Sequence, residues 1–216
     1  IVAMNSKQVD AIANQMRRNP AREGKYLYTN VPNNYTARKL VVKEGRTDIK
    51  SLDDPVSNYL PEFKEGEKSD VTIRNLLTMS AGLSWDESYA SLFSLTTQGY
   101  YGNNLRELAL GLDVVDKPGK QFSYRSGESQ VLAFTLEAAT GKTISDYAEE
   151  KLWRPLQAGH DAYWLLDREN GDEKAFCCFH TTARDAARFG HLMLNNGYWH
   201  ERPVVPEEYM REALSP

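Results

Sequence analysis

Residues 122–141, FSYRSGESQVLAFTLEAATG, decide the fold because they carry the chain from a turn into one long helix. The preceding residues 117–120, Lys-Pro-Gly-Lys, are typical of a turn. Apolar or small side chains then recur at helical spacing. They are Val131, Leu132, Thr135, Leu136 and Ala139. Gly141 predicts the end of this helix, and the capping pair Thr143 and Asp146 predicts that another helix begins at once.

Around this stretch, residues 55–155 are predicted to form a mainly helical subdomain. The pair Asp54-Pro55 is a helix start, with aspartate as the cap and proline in the first turn. Thr72 caps a helix predicted over residues 73–80, with Gly82 in the left-handed conformation after it. Asn104 begins a further helix, whereas the polar and aromatic residues 83–104 are predicted to be a long loop.

Towards the two ends of the sequence, the pattern mixes helix and strand. Residues 5–18 are predicted to be an amphipathic helix, and residues 39–43 a strand that enters a hairpin at Glu44-Gly45. Thr182 and Asp185 form a second capping pair. The helix after them is expected to turn three side chains inward, those of Ala186, Phe189 and Met193.

Composition places the chain among ordinary globular proteins. Its 216 residues are 41% hydrophobic and 26% charged, with a net charge of -4, which gives no basic footprint for nucleic acid. There is no apolar run long enough for a membrane span and no visible signal peptide, so the sequence does not separate periplasm from cytoplasm. The adjacent Cys177 and Cys178 are expected to be two thiols facing opposite ways.

Several motifs of other enzyme classes are absent or incomplete. Residues 141–143, Gly-Lys-Thr, lack the glycine that a phosphate loop needs five residues earlier. No Gly-x-Ser-x-Gly occurs, and no histidine spacing indicates a metal site. Thr36 and Lys39 have the spacing of a nucleophile and its base on a helix, but the strand pattern that follows would separate them. No cofactor or metal is therefore expected.

Five segments together resemble the penicillin-recognising serine hydrolases. They are residues 49–61, 71–83, 122–127, 151–156 and 182–190. Their order and spacing are similar to those of the class C β-lactamase-related enzymes, and within these to the 6-aminohexanoate-dimer hydrolases and esterases. Five matches in order are specific, although each would be weak alone.

This resemblance implies an α/β (α+β) fold of the β-lactamase/transpeptidase kind, with an antiparallel sheet flanked by helices. A single domain over residues 1–216 is expected. The substrate would be a small ester, amide or β-lactam, hydrolysed through a serine acyl-enzyme. Tyr124 matches the motif tyrosine that moves the proton, expected to be buried, and Ser126 matches the third position of that motif. Tyr89 and Trp85 would line the substrate side, although Tyr89 is as readily explained by surface packing.

The departures from the family pattern are as informative as the matches. No Ser-x-x-Lys occurs, and the segment that would carry it is missing near residues 46–48, as are the last strands after residue 216. These parts lie outside the sequence, were removed, or were lost in an inactive relative. We favour the first, because a domain without its central helix would expose large apolar surfaces. A non-catalytic binding or scaffold protein and a glycosidase with paired carboxylates stay as alternatives.

Overall fold

The computed structural model describes Ala11–Asn14, Lys39–Val42 and residues 49–215. Contacts divide the chain into two units, Ile1–Lys50 and Ser51–Pro216, and each is described by itself. Whether the whole chain forms the single predicted domain stays a prediction.

In the first unit, two strands pair antiparallel: β1, Ala11–Asn14, and β2, Lys39–Val42. The register places Ala11 opposite Val42 and Asn14 opposite Lys39. The predicted strand is thus confirmed, but its partner precedes it in the chain. The helix predicted over residues 5–18 is wrong at residues 11–14, because pairing with the β-branched Val41 and Val42 outweighs a weak helical period. The rest of that prediction and the hairpin turn at Glu44-Gly45 lie outside the described residues.

The second unit is mainly helical. Its α-helices are α1 Ile73–Leu77, α2 Leu95–Tyr101, α3 Leu105–Leu110, α4 Ser126–Thr140, α5 Ile144–Ala148, α6 Ala183–Leu194 and α7 Glu207–Ala213. Short 3₁₀ helices cover Val56–Asn58, Pro61–Phe63 and Gly66–Asp70, and a π-helical segment, Glu149–Trp153, continues α5.

Small antiparallel sheets complete the second unit. One pairs β3, Tyr163–Trp164, with β4, Phe179–His180, and the other pairs β5, Tyr198–Trp199, with β6, Arg202–Pro203. Between residues 55 and 155 every regular element is helical, as the sequence predicts for this subdomain.

Local chemistry sets the helix boundaries. The Thr72 hydroxyl accepts from the backbone N–H of Asn75, whose side chain returns the bond to the Thr72 N–H. Thr143 and Thr182 cap α5 and α6 in the same way, each accepting from the N–H three residues on. Gly141 ends α4 with φ +68°, in the left-handed region that favours glycine. These starts and stops are confirmed predictions.

The main core surrounds α4, which packs against α1 and α3. It is formed by side chains from five parts of the chain. These are the 3₁₀ helices, α1, α3, α4 and the residues that precede α2. Its buried side chains include Val56, Phe63, Leu76, Leu83, Leu105, Val131 and Phe134. A smaller cluster of Leu156, Leu192 and Trp199 lies under α6. Because α4 is buried along most of its length, the residues at its first turn hold a fixed position for the candidate site.

Several sequence predictions are wrong in this unit. The first helix, Val56–Asn58, has Pro55 and not Asp54 at its N-cap, and no side chain caps it. The predicted loop 83–104 contains α2, because the Ser94 hydroxyl caps it by accepting from the Thr97 N–H. Helix α1 ends at Leu77, three residues earlier than predicted, because the capping residue Thr78 leaves helical geometry (ψ 10°). Cys177 and Cys178 form a disulfide with each other, since Cys178 adopts φ +67° instead of an alternating strand geometry.

A further wrong prediction concerns the face of α6. Ala186 and Phe189 are exposed and Met193 is only half-buried, whereas Asp185 and Leu192 are buried. Asp185 replaces the expected apolar contact because its carboxylate has four partners, among them the Gly159 N–H at 2.8 Å and His160 Nδ1 at 3.0 Å.

No helix in the described part of the chain is long and apolar enough to cross a membrane.

Candidate active site

The first turn of α4 organises the candidate site. Ser126 is the first residue of the helix, and Arg125 before it is extended, with φ -143°. The backbone N–H of Ser123 donates to Met79 O at 2.8 Å, which fixes the entering segment. Tyr124 therefore lies on a short extended approach to the helix. Its side chain is 55% exposed, so the expectation that it is buried is wrong, because a side chain outside the helix lacks neighbouring turns to cover it.

A carboxylate that the sequence did not single out joins Ser126 to the opposite segment. Glu87 Oε2 accepts from the Ser126 backbone N–H at 2.7 Å, and Oε1 accepts from the Ser126 hydroxyl at 2.6 Å. The first N–H groups of a helix have no partner within the helix, and its N-terminus favours a negative charge. Glu87 thus satisfies both needs, and Ser126 is only 4% exposed.

Tyr89 completes this group of side chains. Its hydroxyl donates to Glu87 Oε1 at 2.6 Å, although the ring is 75% exposed. The hydrogen bond to Glu87 raises the pKa of Tyr89, and the Tyr124 and Ser126 side chains also act on its hydroxyl. The structure therefore brings together Tyr124 and Ser126, from one predicted segment, and Tyr89, from another.

Trp85 is buried next to the site. It is 5% exposed, and its indole N–H donates to Thr96 Oγ1 at 2.9 Å. Its ring packs beneath the first turn of α4, so closely that a Cβ on Gly127 would lie 2.5 Å from Trp85 Cε3. Trp85 thus supports the site from below, and its direct contact with substrate stays a prediction.

Glu87 could have been found from one weak signal. Trp85, Glu87 and Tyr89 alternate along a stretch without helix or strand, and alternate residues of extended backbone lie on one side. The partner, Ser126, is 39 residues away, and no local pattern encodes that distance.

A second carboxylate anchors the loop beside the site. Glu128 is fully buried and accepts from the backbone N–H groups of Ala81, Gly82 and Leu83 at 3.0 to 3.4 Å. Burial raises the pKa of Glu128, while the three N–H groups and Arg125 oppose that rise. Arg125 also donates to Leu83 O and pairs with Asp116. The loop before Trp85 is consequently tied to the helical turn that follows Tyr124.

A cavity of about 830 Å³ lies elsewhere, between the end of α5, the β3–β4 hairpin and α6. Aromatic side chains dominate its wall, including Trp153, Trp164, Phe179 and Phe189. None of the four predicted site residues lines it, so the volume of this cavity does not bear on the Tyr124 site. Within residues 49–215 and the two described strands, no group of three or more His, Cys, Asp or Glu side chains is arranged to hold a metal ion.

The sequence that forms this site matches a known protein family. The family described as Beta-lactamase matches residues 40–211. The 6-aminohexanoate-dimer hydrolase of Paenarthrobacter ureafaciens is 27% identical over 185 residues, which are 81% of this chain and 46% of that protein.

Solved structures show the same fold. A candidate 6-aminohexanoate-dimer hydrolase from Bacillus anthracis aligns with a TM-score of 0.67 and 25% identity, over 75% of this chain and 46% of that one. A class C β-lactamase aligns with a TM-score of 0.51 and 19% identity, over 76% and 47%. These alignments confirm the predicted β-lactamase/transpeptidase-like α/β fold.

The chain spans less than half the length of the curated relatives it matches. The matched region nevertheless covers most of the 216 residues and includes Glu87, Tyr89, Tyr124 and Ser126. The chain therefore belongs to the β-lactamase family.

Proposed function

We propose that this chain carries the proton-transfer and substrate side of a serine hydrolase that cleaves an ester, amide or β-lactam through an acyl-enzyme. The observation that carries the proposal is the position of Tyr124, half-exposed at the entry to α4 and beside Tyr89, Glu87 and Ser126. A hydroxyl at such a position is open to a ligand, while the backbone that bears it is held by a buried helix.

Each residue has a role that its surroundings support. Tyr124 transfers the proton between the attacking hydroxyl and the leaving group, as general base and then acid. Tyr89 contacts the substrate, and Trp85 keeps the segments of Tyr89 and Ser126 in register from beneath. Ser126 is only 4% exposed and its hydroxyl donates to Glu87, so it serves the substrate side by orienting Glu87. No Ser-x-x-Lys occurs in the 216 residues. The proposal therefore assigns the nucleophile and the donor of the oxyanion hole to parts of the protein outside this sequence.

Covalent labelling tests this function. The full-length protein is incubated with a fluorophosphonate and with a fluorescent penicillin, and the labelled residue is located by mass spectrometry. We expect one modified serine. We expect Tyr124→Phe to slow acylation by about 10²–10⁴-fold, the usual contribution of general acid–base catalysis. Tyr101→Phe is the matched control, because Tyr101 is 80% exposed on α2 and contacts the Tyr100 ring. Equal rates in the two variants would refute the role of Tyr124.

A non-catalytic binding protein is the second candidate, and the absence of Ser-x-x-Lys from the sequence favours it. It predicts that the full-length protein takes up neither label. Covalent labelling of a serine would exclude it.

A further inference from the structure

The carboxylate of Glu87 has an unusual set of contacts for a charged group. Its three partners, the Ser126 N–H, the Ser126 hydroxyl and the Tyr89 hydroxyl, are all neutral donors. All three contacts use the acceptor oxygens of the carboxylate, which are the groups that an ionised glutamate offers. Within residues 49–215, no lysine, arginine or histidine forms an ion pair with it. Among the described residues, the carboxylate of Glu87 is therefore oriented by hydrogen bonds without an ion-pair partner.

The neighbouring charges do not offset it. Arg125, next to Ser126, has its guanidinium committed to Asp116 and to the carbonyl of Leu83. Asp86, on the other side of Glu87, adds a second carboxylate that is exposed. The N-terminus of α4 supplies only a partial positive charge, which Glu87 itself consumes by accepting from Ser126. In the part of the chain that the structure describes, Glu87 is therefore the carboxylate that contacts Tyr89 and Ser126 without an ion-pair partner.

We propose that Glu87 determines the charge specificity of this site, so that it favours neutral groups beside Tyr124 and disfavours ligands with a carboxylate there. This inference rests on the proposed function and deepens it, because it selects neutral esters and amides over β-lactams with an adjacent carboxylate. Glu87 acts through space and by fixing Tyr89, whose hydroxyl proton is committed to Oε1.

A purely structural role is the competing explanation, since Glu87 also caps the first turn of α4. Such a role would change stability and the affinity for every ligand alike. Charge specificity instead changes the ratio of affinities for two ligands that differ only in charge, and that ratio is the decisive quantity.

The test uses phenylacetamide and phenylacetate, two ligands of nearly equal shape whose ring suits the exposed Tyr89 and Tyr124. Their binding to the full-length protein is followed by the NMR shifts of the Ser126 and Tyr89 amides. We expect the wild type to prefer phenylacetamide. In Glu87→Gln, this preference should shrink by about 3–10-fold, the size of one unit charge acting across several ångströms of partly screened space.

Two variants sharpen the result. Glu87→Asp keeps the charge and should keep the preference. Asp86→Asn removes the charge of the neighbouring residue, whose carboxylate accepts from the Ser88 N–H and not from Tyr89 or Ser126. This variant should change the preference less than Glu87→Gln does. An unchanged ratio in Glu87→Gln, an equal change in Asp86→Asn, or no shift of Ser126 and Tyr89 with either ligand would overturn the inference. Hydrolysis of p-nitrophenyl acetate is measured separately, so that absent turnover with an altered ratio refutes only the proposed function.

Discussion

Gly127→Ala tests how closely the candidate site is packed onto Trp85. The added Cβ would lie 2.5 Å from Trp85 Cε3, 2.8 Å from Trp85 Cδ2 and 3.0 Å from Leu112 Cδ1. Carbon atoms in contact prefer separations of about 3.5–4.0 Å. The indole must therefore move by roughly 1 Å, although it is buried and hydrogen-bonded to Thr96.

The expected cost follows from this clash. The indole has little room to retreat, because Trp85 Cη2 also lies 2.9 Å from where a Cβ on Gly99 would be. Forcing an extra carbon into a packed core usually costs about 1–3 kcal/mol. For a chain of this length, each kcal/mol lowers the melting temperature by about 2–4 °C, which gives a fall of about 2–12 °C. The gain in helix propensity from alanine is smaller at the first turn than in a helix interior.

Gly190→Ala is the matched control. Gly190 lies inside α6, is exposed, and an added Cβ meets nothing within 4 Å. Alanine should therefore stabilise this helix by up to about 1 kcal/mol. Thermal and urea unfolding are followed by circular dichroism for both variants. If Gly127→Ala were as stable as the wild type, or were stabilised as much as Gly190→Ala, Trp85 would not lie against α4 as described.

Two further predictions concern buried carboxylates. Glu128→Gln leaves one oxygen to serve three buried N–H groups, so we expect urea unfolding to show a loss of about 1–3 kcal/mol, and wild-type stability would contradict the anchoring role. In Asp185, hydrogen bonds from the Gly159 N–H and Thr182, with a further contribution from His160, lower the pKa from its ordinary 3.8 to about 2. A lowered pKa gives stability that is fully present above the ordinary value and is lost as the pH falls towards 2. The stability difference between wild type and Asp185→Asn should accordingly be constant from pH 7 to 5 and shrink from pH 4 to 2. A pH-independent difference would contradict it.

The helix boundaries were predictable because they depend on contacts between near neighbours. Thr72, Thr143 and Thr182 each cap a helix through an N–H three residues away, and Gly141 ends α4 through its own backbone angle. Such signals are complete within a few residues of sequence.

The wrong predictions concern features that depend on residues far apart in the sequence or on backbone angles that the sequence does not signal. Periodicity shows which side of α6 is apolar, but burial depends on what covers it, and Phe189 is exposed while Asp185 is buried. Residues 11–14 form a strand through a partner 25 or more residues away. The Cys177–Cys178 disulfide required a positive φ at Cys178 that no neighbouring residue signals.

In the candidate site, too, local sequence signals were readable and long-range contacts were not. Tyr124 and Ser126 were predicted from their place before a long helix and from the family resemblance, and Tyr89 from the resemblance alone. Glu87 was missed, because its importance comes from a contact with Ser126 that only the folded chain creates.

The segment from Ala81 to Tyr89 is attached to the start of α4 at both of its ends. At one end, Glu128 on the helix accepts the N–H groups that precede Trp85, and at the other, Glu87 on the segment accepts the N–H of Ser126. Between these two points, the Trp85 ring lies against Gly127. Two carboxylates facing in opposite directions thus fix the separation of Tyr89 from Tyr124, and only one of them, Glu87, remains beside the ligand. Because the inner carboxylate is wholly used in anchoring, the outer one is the group through which charge can govern what the site accepts.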